Sequence, residues 1–220
     1  MSAAASRPAV DAGLAAWIAP ARTALLVIDM QVDFASPEGQ MGVWGADLSA
    51  VPAALAAAER LAVAARAAGA PVIFVGLQTQ AMSDSPAWGE RMRRRGGAPD
   101  VESAICRSGA FGATFVGPTP QPGETVIAKL RYSGFFGSAL DAILRARHID
   151  TLVVCGLTTE CCVDCTARDA FHLDYHVFLA ADACAAYEPD LHQAALRSLE
   201  LNCAILVDAD QVVAAWSEAR

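Results

Sequence analysis

Residues 150–170 have the sequence Asp150-Thr-Leu-Val-Val-Cys-Gly-Leu-Thr-Thr-Glu-Cys-Cys-Val-Asp-Cys-Thr-Ala-Arg-Asp-Ala170, in which a short β-rich apolar run passes into a stretch of helical period. This junction predicts that a strand ends near Gly156 and that a helix begins at Cys162. A thiol in the first turn of a helix faces unpaired backbone N–H groups and the positive end of the helix dipole, both of which favour the thiolate. Cys162 is therefore a candidate nucleophile.

The same alternation of strand and helix continues through the chain. Apolar strand-like runs cover residues 23–29, 71–77, 125–129, 151–156, 176–182 and 203–207, and stretches of helical period cover 50–68, 137–147, 162–174, 189–201 and 209–219. The strands are apolar on both faces, so both faces of the sheet must be covered. This pattern predicts an α/β fold, with a mostly parallel, doubly wound sheet in a three-layer αβα sandwich with right-handed crossovers.

The regular alternation fails between residues 79 and 124, where Gly, Pro, Ser and Arg dominate apart from a short predicted strand near 113–116. An irregular segment of this length is expected to form a lid or a pocket wall. The sequence contains no internal repeat and no low-complexity linker. We therefore expect a single domain over residues 1–220, with residues 1–22 as an N-terminal extension.

Composition excludes several classes of partner. The 220-residue chain is 55% hydrophobic with a formal net charge of −8, so a nucleic-acid surface of clustered Lys and Arg is not expected. No apolar run approaches the ~20 residues of a membrane span. The seven cysteines are an odd number in a chain too long to need disulfides, which indicates a reducing compartment. These features predict a cytoplasmic protein with no membrane partner.

Three reactive side chains stand at the ends of predicted strands. Asp29 and Lys129 each end an apolar strand, and Cys162 follows another. Because open parallel sheets bind ligands at the carboxyl ends of their strands, these side chains are expected to meet at one edge. Asp29 would accept the thiol proton, Lys129 would keep Asp29 ionised, and the thiolate would attack a carbonyl. Backbone N–H groups at the start of the Cys162 helix would receive the oxyanion.

Three segments resemble the isochorismatase-like cysteine hydrolases. They are Leu25-Leu-Val-Ile-Asp-Met-Gln-Val-Asp-Phe34, Pro122-Gly-Glu-Thr-Val-Ile-Ala-Lys-Leu-Arg-Tyr-Ser-Gly-Phe135 and Gly156-Leu-Thr-Thr-Glu-Cys-Cys-Val-Asp-Cys-Thr-Ala-Arg-Asp-Ala170, and the likeness runs from about residue 22 to about residue 208. The family pattern Thr-Asn-Val-Cys-Val-Glu-Ser-Thr-Ala-Arg-Asp aligns Cys162, and not Cys161, with the catalytic thiol. The 33-residue spacing between Lys129 and Cys162 agrees with the family.

This resemblance implies an αβα fold, a catalytic triad of Asp29, Lys129 and Cys162, a thioester intermediate, and ammonia or an amine as the leaving group. It also implies a cis peptide bond between Leu157 and Thr158, which allows the N–H groups of Thr158 and Cys162 to form the oxyanion hole. Members of the family form homo-oligomers, often tetramers, in which loops of a neighbouring subunit approach the pocket. We therefore expect a homotetramer.

The residues also bear on the subfamily. True isochorismatases cleave a vinyl ether without a cysteine, so the thiol at position 162 favours hydrolysis of a C–N bond in a small-molecule amide. Nicotinamidases carry an Asp-x-His metal pair where this chain has Gln78-Thr-Gln80, whose neutral amides are poor metal ligands. No metal and no other cofactor is expected. The remaining subfamilies act on biuret, triuret, ureidoacrylate, N-carbamoyl amino acids or maleamate.

Gln78 and Gln80 can both donate and accept hydrogen bonds, which suits a substrate of alternating carbonyl and amide groups and favours biuret or triuret. Aromatic residues in loops at the expected active edge are candidate pocket walls. The predicted substrate-binding residues are Phe34, Gln78, Gln80, Tyr132 and Phe135, and Trp44 and Trp88 are further candidates for the pocket wall.

Three other hypotheses remain open from the residues alone. Cys155, Cys161, Cys162 and Cys165 suggest a zinc module, although no second pair of ligands with suitable spacing exists. Cys162 and Cys165 form a Cys-x-x-Cys pair typical of redox proteins, but that function leaves Asp29 and Lys129 without a role. The third hypothesis is a domain that binds a carbonyl metabolite without turning it over.

Overall fold

A six-stranded parallel sheet forms the centre of the computed structural model, which describes residues 8–218. Its strands are β1 Thr23–Ile28, β2 Val72–Leu77, β3 Thr125–Lys129, β4 Thr151–Leu157, β5 His176–Ala185 and β6 Ile205–Val207, in the spatial order β3-β2-β1-β4-β5-β6. All six predicted strands are therefore confirmed. β5 continues three residues beyond its predicted end, and β6 begins two residues later than predicted.

Ten α-helices accompany this sheet within the described range. They are α1 Pro8–Trp17, α2 Val32–Ala35, α3 Gln40–Val43, α4 Val51–Ala68, α5 Pro86–Arg94, α6 Pro99–Glu102, α7 Leu140–Ala146, α8 Asp164–His172, α9 Pro189–Asn202 and α10 Ala209–Glu218. The five predicted helices correspond to α4 and α7–α10. Of the expected N-terminal extension, residues 8–17 form α1 and residues 1–7 lie outside the described residues, as does residue 219 of the last predicted helix. None of the described helices has the length and apolar character needed to cross a membrane.

The covering of the sheet follows from the apolar strands. Every residue of β1, β2 and β4 is buried, so neither face of these strands can be left to solvent. α4 packs on β1, β4 and β5 together with α10, and α8 and α9 pack on β5 and β6. Because the chain moves outward from β1 in both directions, right-handed crossovers put these two groups of helices on opposite faces. The predicted three-layer αβα sandwich is confirmed.

The segment 79–124 is more ordered than its composition suggests, since it contains α5, α6 and two 3₁₀ turns at Ala81–Ser83 and Phe111–Ala113. The predicted strand near 113–116 is wrong. Phe115 makes only an isolated antiparallel bridge to Gln31, because Gly117 with φ +70° and Pro118 turn the chain away directly afterwards. The segment nevertheless lies against the turn that follows β1.

Candidate active site

The crevice beside β1 and β4 is the place where the fold itself predicts a ligand. These two strands are neighbours, but the chain leaves them in opposite directions along the sheet. At such a switch point the loops after the strands separate and open a crevice at the carboxyl ends. Asp29 directly follows β1, Cys162 lies in the turn after β4, and Lys129 is the last residue of β3. The topology thus brings all three predicted residues to one edge.

Lys129 joins the other two side chains. Its Nζ lies 2.7 Å from Asp29 Oδ2, and both side chains are 0% exposed. The same ammonium donates hydrogen bonds to Cys162 Sγ at 3.4 Å and to the carbonyl of Arg131 at 3.0 Å. Two of its three N–H donors thus have hydrogen-bond acceptors, and the ammonium also forms an ion pair with Asp29. The carboxylate, the ammonium and the sulfur therefore form one connected group in a buried place.

The orientation of Asp29 is fixed by its backbone and by one of its carboxylate oxygens. Its φ of 49° is left-handed, a conformation that Asp tolerates better than most residues. The Asp29 N–H donates to the Val75 carbonyl at 2.8 Å, and Oδ1 accepts the Leu77 N–H at 2.9 Å. The contact of Oδ2 with Lys129 is an ion pair without hydrogen-bond geometry, and Oδ2 accepts no hydrogen bond within the described part of the chain. Oδ2 is therefore free to accept a proton.

Gln31 stabilises the backbone beside Asp29, a role that the sequence analysis did not predict. Its Oε1 accepts the same Leu77 N–H at 2.9 Å, and its Nε2 donates to the carbonyls of Leu77 at 3.0 Å and Ala113 at 2.8 Å. The buried amide thereby ties the segment 113–116 to the ends of β1 and β2. The available signal was a polar residue placed two positions beyond Asp29 at the end of a buried strand.

The backbone between β4 and Cys162 is unusual at each step. Gly156 has φ 142°, and a Cβ there would lie 2.1 Å from the Ile28 carbonyl oxygen, so only glycine fits. The Leu157–Thr158 peptide bond is cis, as the resemblance implies. The chain then forms a π-helical turn, Thr159–Val163, before α8. The prediction of a helix starting at Cys162 is thus inaccurate, because the nucleophile lies inside this turn and α8 begins two residues later.

The pKa of Cys162 is shifted against the thiolate, although the start of a helix was expected to favour it. The hydrogen-bonded Cys161 thiol, burial and the negative charge of Asp29 together raise the pKa of Cys162 well above its usual value, and Lys129 only partly opposes them. Burial alone would lower the pKa of Lys129, but Asp29 and Cys162 raise it instead. The resting site therefore holds a thiol and an ammonium, and the thiol needs a base before it can attack.

Among the predicted substrate-binding residues, Gln78 and Phe34 lie next to the triad or to its neighbours. Gln78 is half-buried, follows β2, and donates its backbone N–H to the carbonyl of Lys129 at 3.0 Å. Phe34 is half-buried against the core, and its carbonyl accepts the Tyr187 hydroxyl at 2.8 Å. These contacts are consistent with the predicted pocket positions of both residues.

The other three candidates are placed less favourably. Gln80 is exposed, and its backbone is engaged by the Ser83 hydroxyl in a local 3₁₀ turn. Tyr132 is 41% exposed, with its ring 6.2 Å from the Trp88 ring in an edge-on contact. The Phe135 ring packs 5.7 Å from Tyr175, which precedes β5 at the opposite edge of the sheet. The Phe135 contact thus gives no support for a role in the pocket.

The sequence analysis did not predict three residues near the nucleophile, namely Tyr187, His192 and Glu160. Burial, followed by the charges of Glu160, Cys162 and Asp29, raises the pKa of Tyr187, whose hydroxyl donates to the Phe34 carbonyl at 2.8 Å. Burial lowers the pKa of His192, whose Nδ1 lies 2.8 Å from Thr159 Oγ1. Thr158 Oγ1 donates to Glu160 Oε1 at 2.9 Å. Tyr187 follows β5, so the rule of polar groups at strand ends was able to find it.

A cavity lined mainly by apolar residues lies away from the triad. About 570 Å³ in volume, it opens at the amino ends of β5 and β6 beside Trp17 and Phe171, at the far edge of the sheet from the triad.

The zinc hypothesis loses its geometric basis. Within the described residues no three His, Cys, Asp or Glu side chains are grouped to hold a metal, and Cys155 Sγ bonds to the Leu26 carbonyl at 3.5 Å inside the sheet.

Comparisons with known proteins identify relatives of this chain. A family model described as the isochorismatase domain matches residues 23–211. The ureidoacrylate amidohydrolase RutB of Pseudomonas syringae pv. syringae (strain B728a) is 39% identical over 194 residues, which are 82% of this chain and 78% of that protein. RutB of Azorhizobium caulinodans is 38% identical over 83% of this chain and 85% of its own length.

Solved structures give the same result. A cysteine hydrolase from Pseudomonas syringae pv. phaseolicola 1448A superposes with a TM-score of 0.80 at 30% identity, covering 93% of this chain and 96% of that one. N-carbamoylsarcosine amidase from Thermoplasma acidophilum superposes with a TM-score of 0.66 at 29% identity, covering 86% of this chain and 97% of that one.

Proposed function

Because the chain belongs to the isochorismatase family, whose relatives matched here include amidohydrolases, we propose that it is a cysteine-dependent amidohydrolase acting on a small ureide or carbamoyl compound. The observation that carries the proposal is the contact of the buried Lys129 ammonium with both Asp29 and Cys162. A carboxylate, an ammonium and a thiol in contact provide a base, a fixed positive charge and a nucleophile for acyl transfer.

The proposed mechanism begins with proton transfer from Cys162 to Asp29 Oδ2, the oxygen that accepts no hydrogen bond from the described residues. The thiolate attacks the substrate carbonyl carbon, and the N–H groups of Thr158 and Cys162 stabilise the oxyanion of the tetrahedral intermediate. The C–N bond then breaks, and the leaving amine takes the proton held by Asp29. A water molecule, deprotonated by Asp29, hydrolyses the acyl-enzyme and frees the thiol. Lys129 stays an ammonium throughout.

The choice of substrate is narrowed by chemistry and by the relatives. The half-buried amide of Gln78 supports a substrate that both donates and accepts hydrogen bonds, such as biuret or triuret. The relatives named ureidoacrylate amidohydrolase make ureidoacrylate the first compound to test. Ureidoacrylate carries a carboxylate, which requires a cation. We propose Arg131 as this cation, because its carbonyl lies 3.0 Å from Lys129 Nζ. Its guanidinium donates to the carbonyls of Leu130 and Ser83 and makes no ion pair with a described carboxylate.

The test is turnover by the purified protein. Ammonia release and product masses are measured for ureidoacrylate, biuret, triuret, N-carbamoyl amino acids and maleamate, together with the mass of an acyl adduct on Cys162. Arg131→Gln is expected to raise the KM for ureidoacrylate about tenfold and to leave that for neutral biuret unchanged. The amidohydrolase proposal fails if Cys162→Ser retains hydrolysis. Absence of both turnover and adduct across the panel supports a carbonyl-binding domain.

Two further proposals concern the setting of the enzyme. We expect a homotetramer in the cytoplasm. Large apolar side chains exposed outside the sheet and the long helices support self-association, among them Trp44 at 42%, Phe111 at 70% and Phe136 at 66%. Light scattering coupled to size-exclusion chromatography measures the mass in solution. A monomer at micromolar concentration contradicts the tetramer.

A further inference from the structure

Glu160 lies two residues before the nucleophile, in the π-helical turn Thr159–Val163. Its Oε1 accepts a hydrogen bond from Thr158 Oγ1 at 2.9 Å, which fixes the carboxylate against the backbone of the predicted oxyanion hole. Its second oxygen, Oε2, is buried and accepts no hydrogen bond from the described residues. A carboxylate oxygen in this state has lost its hydration without gaining a donor, so the protein carries an unfavourable group beside the reacting sulfur.

Few buried side-chain atoms in the described part of the chain lack a hydrogen bond in this way. The buried side-chain oxygens or nitrogens without a hydrogen bond there are Thr23 Oγ1, Asp29 Oδ2, which is ion-paired with Lys129, and Glu160 Oε2. Two of the three belong to carboxylates, and both carboxylates are neighbours of Cys162. The proposed mechanism gives Asp29 Oδ2 a task, because this oxygen accepts the thiol proton. No step of that mechanism uses Glu160.

Nearby donors are already engaged. The single proton of the Tyr187 hydroxyl goes to the Phe34 carbonyl at 2.8 Å, although the charge of Glu160 acts on that hydroxyl. His192 Nδ1 is paired with Thr159 Oγ1 at 2.8 Å. The ammonium of Lys129 is directed at Asp29, Cys162 and the Arg131 carbonyl. None of these side chains donates a hydrogen bond to Glu160 Oε2, which leaves this oxygen available to a donor on a bound molecule.

We propose that Glu160 Oε2 accepts a hydrogen bond from the N–H next to the carbonyl under attack, and so selects ureides that carry a hydrogen on this nitrogen. This inference rests on the proposed amidohydrolase function. A ureide has a nitrogen on each side of its carbonyl, so while one becomes the leaving group the other presents an N–H to the turn that holds the nucleophile. The family pattern has Asn at this position, whereas the Glu of this chain is a stronger acceptor because it is charged.

The experiment compares two substrates that differ in this hydrogen, N-carbamoylglycine and its N-methyl analogue N-carbamoylsarcosine. If another ureide proves to be the better substrate, that ureide and its N-methyl derivative form the pair. For the wild-type enzyme we expect kcat/KM to be about 10- to 100-fold higher for the N–H compound, since a site built around a hydrogen bond rejects the analogue that lacks it. A ratio near one overturns the inference without any variant.

Glu160→Gln keeps the shape of the side chain and removes its charge. The Gln amide either points its NH₂ group at the substrate or offers a neutral oxygen, so the preference for the N–H compound is expected to fall at least about tenfold. Glu59→Gln, which removes an exposed carboxylate on α4, is the matched control and should keep the wild-type ratio. An unchanged ratio in Glu160→Gln overturns the inference but leaves the amidohydrolase function standing.

A second variant covers the case in which Glu160→Gln does not fold. Thr158→Val removes the hydroxyl that holds Oε1 and keeps the backbone N–H, so it should lower the ratio part of the way. A ratio equal to that of the wild type in Thr158→Val counts against the inference. If the wild-type enzyme hydrolyses no ureide at all, the proposed function fails, and the inference with it.

Discussion

The buried ion pair of Lys129 and Asp29 allows a quantitative prediction for stability. Lys129→Met keeps the length of the side chain but leaves the Asp29 carboxylate, 0% exposed, without its counter-charge. Removing one partner of a buried pair costs about 3–5 kcal/mol of unfolding free energy. The Arg131 carbonyl also loses the donor that lies 3.0 Å away, which adds about 1 kcal/mol. We therefore expect a total loss of about 4–6 kcal/mol.

Asp29→Asn makes the complementary change. Asn tolerates the φ of 49° and still accepts the Leu77 N–H, so this variant chiefly removes the charge and leaves the Lys129 ammonium unpaired. Its expected cost is again about 3–5 kcal/mol. The double variant contains no buried charge at this site and should cost about as much as one single variant. The coupling energy between the two positions is then at least about 3 kcal/mol.

Urea unfolding followed by circular dichroism measures these energies, with the protomer concentration held constant because assembly contributes to apparent stability. Thermal unfolding gives a second measure, since a loss of 4 kcal/mol lowers the Tm by about 8–16 °C in a protein of this size. The reasoning would be refuted if each single variant lost less than about 1 kcal/mol and the loss in the double variant equalled their sum within about 0.5 kcal/mol. An uncompensated buried charge destabilises a protein by more than this.

Other substitutions test the nucleophile, the buried thiols and the backbone at the crevice. Cys162→Ser should lower kcat/KM at least about 10³-fold. Cys161→Ser and Cys165→Ser should stay within about tenfold of the wild type, and loss of activity in Cys165→Ser would instead support a disulfide mechanism. Burial raises the pKa of Cys184 to about 12. The folded state therefore binds the thiol proton more tightly than the unfolded state. The free energy of unfolding falls as the pH rises above the pKa of this thiol in the unfolded chain. Urea unfolding at pH 7.5 and 9.5 measures this loss. Between these pH values the unfolding free energy of the wild type should fall by about 1.4 kcal/mol more than that of Cys184→Ala, and equal losses contradict the raised pKa of Cys184. Gly156→Ala should cost on the order of 3 kcal/mol in the same urea assay, because its Cβ would lie 2.1 Å from the Ile28 oxygen. Gly123→Ala, also at positive φ but with nothing near its Cβ, should cost only about 1 kcal/mol, and equal losses would contradict the close approach.

The sheet and the meeting of the triad were predictable because both depend on strand ends. Apolar runs fixed the six strands within a few residues, and parallel pairing brings the last residues of such strands to one edge. Asp29, Lys129 and Cys162 were found by collecting polar residues at these ends. Tyr187 obeys the same rule and was overlooked. It lies two residues after the end of β5, whereas Asp29 lies one residue after the end of β1.

Loop residues were harder to place, since no periodicity fixes where their side chains point. Phe135 was expected in the pocket because it follows β3 by only six residues, yet its ring packs on Tyr175 at the other edge. Glu160 was overlooked for a different reason. The sequence shows a charged residue beside the nucleophile, but only coordinates show that Thr158 engages one oxygen and leaves the other buried without a donor.

The state of the nucleophile shows how the size of each effect decides the outcome. The dipole at the start of a helix, which favours the thiolate, contributes about 0.3–1 kcal/mol, and this is less than one pKa unit. The hydrogen bond with Cys161 opposes the thiolate, burial alone shifts a pKa by up to about 3–5 units, and the Asp29 charge acts in the same direction. The pKa of Cys162 therefore rises although its place in the turn favours the thiolate. Local sequence cannot activate this sulfur, so its reactivity depends on a base delivered by a different strand.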